Sequence, residues 1–430
     1  MVRDRVRVIW LLLLALPLLL GAASAEGWGA PSPTASVPYA PTVAVIDLFG
    51  PGTRFVHQSA AGRSVVVDAD TVRGEGSLRI TSDGDGLQVN VRATELAPID
   101  LRDAHLRLLL RVDRPERLEQ MLLYLSSDGF VGFEAYRLVG GPEDGRAYVL
   151  PDAWMAVTVA LGTPLARVGD AVDLARITDV QLSLADLGLG PVTAHVDVLE
   201  TVARPARGTV SLLFDDARDG VYRHARPILD RHGLRASVAA IVDLVGTPGF
   251  MSLEQLQWLE WYAGWDVVAH HTSALPEEVG FAELSDDEVV AELLGARAWL
   301  LAHGFRRGAD HFVYPYGGFD ARSIELVRGS FASSRTIVRG LGLETLPPAD
   351  PYRIRALSVT EGDPPEALTA AIDRAARERS WLVLVFHQVV DRVPDGATGY
   401  RAQDLAAVVA HLAAADVDVV TLPEALNARR

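Results

Sequence analysis

The sequence predicts two domains of different class: an all-β sandwich of jelly-roll type, then an α/β domain built on a parallel sheet. Three observations carry this. At 430 residues the chain is too long for one ordinary domain. From about residue 43 to residue 204, short runs of period two alternate with Gly/Asp turns, and no amphipathic segment of helix length is comparably clear. Beyond residue 208, strand-like and helix-like runs alternate, which is the pattern of βα units.

Composition sets the outer limits. Apolar residues make up 49% of the chain, ample for two cores, and nothing points to wholesale disorder. A net charge of −16 argues against a nucleic-acid partner. The absence of cysteine excludes disulfides and thiolate metal sites, and all the strongly basic residues are Arg.

Taken in order, residues 1–25 have the pattern of a secretory signal. Arg3, Arg5 and Arg7 precede an apolar run, Val8 to Ala22, that Pro17 interrupts, and Ala23-Ser24-Ala25 offers small residues for cleavage before Glu26. The competing explanation is a retained anchor. The run is short for a span, so cleavage is expected, with no stable membrane span afterwards and a destination outside the cell or in its envelope. Residues 26–42, rich in Pro, Ala and Ser, form a linker.

The sandwich, 43–204, is expected to take strands from Ser77–Thr81, Leu87–Val91, Leu106–Leu110, Met121–Leu125, Met155–Leu161, Val180–Leu184 and Val192–Leu199. The α/β domain, 208–430, opens with a strand at Val210–Phe214 and a helix around Gly220–His232 closed by Gly233. A strand at Ala236–Val242 follows, then two helices marked by capping boxes, Ser252 with Gln255 and Ser285 with Glu288. Between them lies a short strand, Asp266–Ala269. Further strands fall near Phe312–Tyr314, Ser334–Ile337, Ile354–Ser358, Leu382–Phe386 and Val417–Val420, with helices near Pro365–Arg377 and Arg401–Ala414. Alternation of this kind fits an open doubly wound sheet or a barrel.

The chemistry collects at strand ends. Asp215-Asp216 closes the strand at Phe214. His270-His271-Thr272 follows Asp266–Ala269, Pro315-Tyr316-Gly317-Gly318 follows Phe312–Tyr314, and His387 follows Leu382–Phe386. Each alone has a bland explanation: an Asx-type turn, a hydrogen-bonded semi-buried imidazole, a tight turn. In a parallel barrel all such ends open on one face, and four together outweigh the bland explanations. Two adjacent carboxylates need a cation or a shared proton. A carboxylate with imidazoles suits zinc, with cobalt, nickel or manganese as alternatives, and leaves a position for water. The second aspartate can then move a proton, a histidine across the site can protonate a leaving group, and the Tyr316-Gly317 turn can aim an amide at an oxyanion.

These pieces resemble the NodB-type polysaccharide deacetylases of carbohydrate esterase family four. The resemblance spans about Thr209 to Ala425 and rests on Phe214-Asp215-Asp216, the stretch Pro227–Leu234, Trp265–His270, Tyr314–Gly318, Pro351-Tyr352-Arg353 and Leu384–His387. It implies a distorted (β/α) barrel with fewer than eight strands that removes acetyl groups from a polysaccharide, N-acetyl amides ahead of O-acetyl esters. It also implies Asp215 as catalytic base, Asp216 as metal ligand, His387 as catalytic acid, and Tyr316 as oxyanion contributor through its backbone.

Two departures stand out. The family's second motif carries two metal histidines as His-Ser/Thr-x-x-His. Here His270 or His271 serves as the first, and Ala274 or Leu275 stands where the second belongs. An Arg before the Pro-Tyr-Gly turn is absent, with Val313 near its place. A carbohydrate-binding pseudoenzyme that keeps the fold without a complete metal site is therefore the alternative. The β domain resembles a carbohydrate-binding module, in which Phe130, Phe133, Tyr136 and Trp154 are either sugar-stacking faces or core.

Overall fold

A computed structural model describes residues 40–427 except 69, 75, 142, 274–279, 340 and 395–397. The expected signal, 1–25, and nearly all of the linker lie outside the described residues. No helix of the described residues is long and apolar enough to cross a membrane.

Period-two alternation builds the first domain. Its strands are β1 (Thr42–Asp47), β2 (Val56–His57), β3 (Arg63–Asp68), β4 (Ser77–Thr81), β5 (Val89–Ala93), β6 (Ala104–Val112), β7 (Leu118–Ser126), β8 (Phe133–Gly140), β9 (Met155–Val159), β10 (Ala166–Val168), β11 (Asp179–Asp186) and β12 (Thr193–Ala203). They form two six-stranded sheets, one in the order β3-β4-β12-β6-β9 with β1 also on β12, the other β10-β8-β7-β11-β5-β2. Every ladder in both is antiparallel. Leu78, Ile80, Leu108 and Leu110 of the first sheet share one buried core with Leu123, Leu125, Leu182 and Leu184 of the second. Two differences from the expected strands have local causes. The run beginning at Leu87 pairs only from Val89, because Asp186 accepts the Gly84, Gly86 and Gly188 amides and holds that turn off the ladder. β8 was not expected at all, since it is largely buried on both faces and shows little alternation.

The second domain is a parallel barrel. Its strands are β13 (Gly208–Phe214), β14 (Ser237–Ile241), β15 (Asp266–His271), β16 (His311–Val313), β17 (Ser333–Arg335), β18 (Leu357–Ser358) and β19 (Trp381–Phe386), in the order β17-β16-β15-β14-β13-β19-β18. The segment running into β18 closes the circuit. Ile354 bridges Arg335 of β17, and Leu357 pairs with Leu384 of β19. Seven strands thus surround a narrow interior of Leu213, Ala239, Val268, Val313, Ile354, Val383 and Val385. A short parallel pair, β20 (Gln388–Val390) and β21 (Gly399–Arg401), follows, and β22 (Val417–Val419) pairs with β13 outside the circuit.

The helices alternate as the pattern requires. After a short α1 (Glu143–Ala147) in the sandwich come α2 (Arg226–Asp230), entered through a π-helical turn at Val221–Ala225, and α3 (Leu253–Trp261). They are followed by α4 (Asp286–Ala302), α5 (Ala321–Ser330), α6 (Pro365–Glu378), α7 (Ala402–Ala414) and α8 (Leu422–Asn427). Both expected capping boxes form, and Asp320 with Ser323 makes a third. The two domains are joined by specific contacts. Tyr148 donates to the Arg353 carbonyl at 3.1 Å, Thr158 and Thr345 share a 2.8 Å hydrogen bond, and Arg204 donates to the Glu378 carbonyl at 3.0 Å. The Tyr148 ring also meets Phe319 edge-on, so the sandwich backs the loop that carries Tyr316.

Glu260, at the end of α3, is buried and accepts the Val267 amide at 3.0 Å. Burial pushes its carboxyl up to about 7, partly offset by the Val267 amide and added to by the charge of Asp266. A folded-state pKa above the usual ~4.3 means that its contribution is complete at low pH and is lost as pH rises towards 7. Glu260→Gln keeps an acceptor without the charge. It is expected to stabilise the protein by about 2–3 kcal/mol at pH 8 and by little at pH 4. Thermal unfolding of both proteins at the two pH values checks this.

Candidate active site at the barrel mouth

β13, β15, β16, β17 and β19 all deliver polar groups to the C-terminal face of the barrel. The Asp215 amide donates to the Phe386 carbonyl at 2.8 Å, which ties the end of β13 to β19 and sets Asp215 beside His387. Asp215 is buried, and both its carboxylate oxygens accept from Nη2 of the fully buried Arg335, at 2.7 and 2.6 Å. Burial alone would raise this carboxyl. The Arg335 guanidinium outweighs burial and holds it below the usual carboxylate range. Arg335 Nε and Nη1 have no hydrogen-bond partner among the described residues. A buried guanidinium held through one nitrogen depends strongly on its single counter-ion.

The next two residues turn sharply. Asp216 and Ala217 adopt φ of 67° and 56°, consecutive left-handed conformations that cost a non-glycine residue free energy and gather at functional sites. The turn brings Asp216 Oδ1 to 3.7 Å from His270 Nε2. His270 Nδ1 lies 2.9 Å from the Val313 carbonyl, a contact that makes Nδ1 the donor and leaves the Nε2 lone pair facing Asp216. Two donors on one tetrahedral ion at about 2.1 Å stand roughly 3.4 Å apart, so Asp216 and His270 fit two positions of a divalent ion's shell.

His271 presents a different situation. The β14–β15 register shifts between Ala269 and His271, so a bulge falls at His270. Bulges re-aim side chains, and here the two imidazole rings lie together, 4.4 Å between centroids. His271 Nδ1 sits 2.5 Å from the Ser273 carbonyl. Burial, with the neighbouring His270, lowers the His271 pKa to about 3, and burial likewise lowers that of His270 against the opposing pull of Asp215 and Asp216. Both rings are therefore neutral, the state a metal needs. Glu292 on α4 fixes the loop that follows. It accepts the Thr272 and Ser273 amides at 2.8 Å each, and Gly295 leaves room for the Thr272 hydroxyl, which would lie 2.4 Å from a Cβ.

Among the described residues no group of three His, Cys, Asp or Glu side chains is placed to hold an ion. The positions where a second histidine was sought, Ala274 and Leu275, lie outside the described residues. A different cation stands beside Asp216: Arg218 Nε is 3.3 Å from Oδ2, and its guanidinium covers the Phe250 ring.

At the end of β19, His387 is half-buried, and its Nδ1 is buried without a partner among the described residues. Tyr316 has φ 55° and an exposed ring. The Gly317 amide already donates to the Tyr314 carbonyl at 3.0 Å, so an oxyanion role for it requires that bond to open. Gly317 is needed for the turn itself, at φ 72° with a Cβ only 2.9 Å from Ile337. The sequence reading did not single out Arg335 or Arg218. The sign that could have flagged Arg335 is a charged residue within the strand expected at Ser334–Ile337, beside the rim.

Residues 203–329 match the family model described as polysaccharide deacetylase. The match covers β13 to α5, with the Asp215–Asp216 pair, both histidines and the Tyr316 turn, and stops short of Arg335 and His387. No curated protein matches the chain. Among solved structures, the chain is similar to the CE4 domain of a multidomain xylanase from the hindgut metagenome of Trinervitermes trinervoides. That similarity has 13% identity, covers 52% of this chain and 91% of that one, and gives a TM-score of 0.38. It is similar also to a family 4 acetyl xylan esterase from Clostridium thermocellum in complex with a cobalt ion, at 16% identity, 51% and 91% coverage and a TM-score of 0.37. A CE4 family pseudoenzyme from Bacillus anthracis gives 16% identity, 52% and 68% coverage and a TM-score of 0.36.

Relieving Asp216 of its arginine should help a metal bind. Arg218→Ala is expected to tighten divalent-ion binding by about two- to fivefold, since a partly exposed ion pair opposes the metal by at most about 1 kcal/mol. Zinc titration calorimetry on both proteins checks it.

Proposed function

We propose that the barrel is a metal-dependent polysaccharide deacetylase, exported by the segment at 1–25, that removes acetyl groups from a glycan, amides ahead of esters. The observation that carries this is the Asp216–His270 pair at 3.7 Å, with His270 oriented by Val313, directly beside the Arg335-held Asp215. The deacetylase family match over residues 203–329 supports it.

Asp216 and His270 would hold the ion, zinc first and cobalt, nickel or manganese as alternatives, and the ion would supply Lewis acidity towards the acetyl carbonyl and an acidified water. Asp215 takes the proton of the attacking water. Its low pKa keeps it ionised and ready at neutral pH, and Arg335 keeps its orientation fixed. His387, at the end of the neighbouring strand β19, would deliver a proton to the departing nitrogen or oxygen. The backbone at Tyr316 would stabilise the carbonyl oxygen as charge builds on it. The β domain contributes glycan binding in the manner of a carbohydrate-binding module.

A second function is favoured by specific observations. Arg218 already compensates Asp216, and the described residues supply two donors instead of three. On this reading the chain is a carbohydrate-binding pseudoenzyme. Acetate release from glycol chitin and from acetylated xylan, with zinc, cobalt, nickel or manganese added in turn, separates the two. Metal-dependent release supports the deacetylase, and no release with any of the four ions rules it out.

A further inference from the structure

The outer face of the first sheet carries a polar groove built by strand register alone. Arg63 on β3 pairs with Thr81 on β4, and Thr81 with Thr193 on β12. One step along, Arg79 pairs with His195, and His195 with Arg111 on β6. Their alternating neighbours Leu78, Ile80, Ala194, Val196, Leu110 and Val112 point into the core and are buried. Period two therefore sends these arginines, threonines and the histidine to the same outward side. They line a cavity of about 370 Å³. Its floor is sunken, since Thr81 and His195 are buried although they face outward. Trp154, just before β9, borders it. Its ring meets His195 edge-on at 6.3 Å, and the Arg111 guanidinium lies 5.5 Å from its centroid.

The lining decides the ligand. Arg63, Arg79 and Arg111 offer only donors, while Asp113 and Asp152 in the same cavity offer only acceptors. Asp70 pairs with Arg111 as well. An anion meets these carboxylates, and an apolar ligand would strip water from the guanidinium groups without replacing it. A hydroxyl both donates and accepts, so a polyhydroxylated neutral molecule satisfies both sets at once, with an aromatic face at one edge. The volume lies within the roughly 300–1,000 Å³ of small-ligand sites.

We propose that this groove binds a neutral glycan strand, with Arg63 and Arg79 as hydrogen-bonding contacts and Trp154 as the aromatic border. The site is separate from the barrel mouth, and its assignment rests on the reading of the β domain as glycan-binding, not on deacetylation.

Affinity electrophoresis of the full chain in the presence of a chelator tests it without involving turnover. The neutral probes are hydroxyethyl cellulose, galactomannan and glycol chitin; the acidic ones are polygalacturonate and alginate. Retardation by at least one neutral glycan is expected, and none by the acidic ones. Arg63→Ala and Arg79→Ala should each weaken retention about tenfold, the loss associated with one charged hydrogen bond. Arg63 is exposed, so its variant keeps the test sound even if Arg79→Ala folds poorly. Absence of retardation by every neutral probe, stronger retardation by the acidic ones, or retention unchanged in both variants overturns the proposal.

Discussion

Asp215→Asn is expected to lower acetate release by about 10²–10⁴-fold, the range for removing a general base. The same change has a structural cost that must be separated from the chemical one. Asp215 is the counter-ion of Arg335, which is fully buried and bonded to it through Nη2. Removing one partner of a buried pair costs about 3–5 kcal/mol, because the other charge is left uncompensated. Asp215→Asn should therefore also unfold earlier. Arg335→Met combined with Asp215→Asn removes both charges, and its stability is expected to return towards the wild type while acetate release stays low. Thermal unfolding and acetate assays on the single and double variants check this. Recovery of release in the double variant would mean that Asp215 serves only to neutralise Arg335.

The second large effect concerns the incomplete histidine motif. Asp216 lies 3.7 Å from His270, so in the proposed metal site His270 takes the place of the first motif histidine and its missing partner would fall at 274. Ala274→His is expected to tighten zinc binding about tenfold or more, roughly 1.4 kcal/mol or above, by adding a third protein donor. Leu275→His makes the same change in the register that starts at His271, whereas the close contact of Asp216 is with His270. It should do less. Calorimetric titration of both variants reads the difference, and an equal or larger gain at 275 would assign the first ligand to His271.

Much of the fold was legible because it follows from local periodicity. The strand at Ser77–Thr81 alternates cleanly, and the capping boxes at Ser252 and Ser285 form as written. β8 escaped notice because burial on both faces erases alternation. Of the four aromatics weighed as sugar-stacking faces, Tyr136 is buried in the sandwich core and Phe130 lies under the Arg92 guanidinium. Trp154 borders the polar groove.

The site was partly legible for a similar reason. Parallel strands end on one face, so polar residues at the ends of β13, β15, β16 and β19 had to meet there. Arg335 could not be found by spacing, since 120 residues separate it from Asp215 and only barrel closure brings them together. The bulge that sets the His270 and His271 rings side by side leaves no mark in the sequence either. The missing motif histidine, by contrast, was visible directly, because that motif is local.

On the proposed function, the barrel mouth is a divalent-metal site founded on Asp216 and His270. Calorimetric titration of zinc into the full chain, into Asp216→Ala and into His270→Ala tests it most directly. One ion per chain is predicted for the wild type, with binding lost in both variants. A chain that takes up no divalent ion, or one that binds zinc equally well without Asp216, would contradict it.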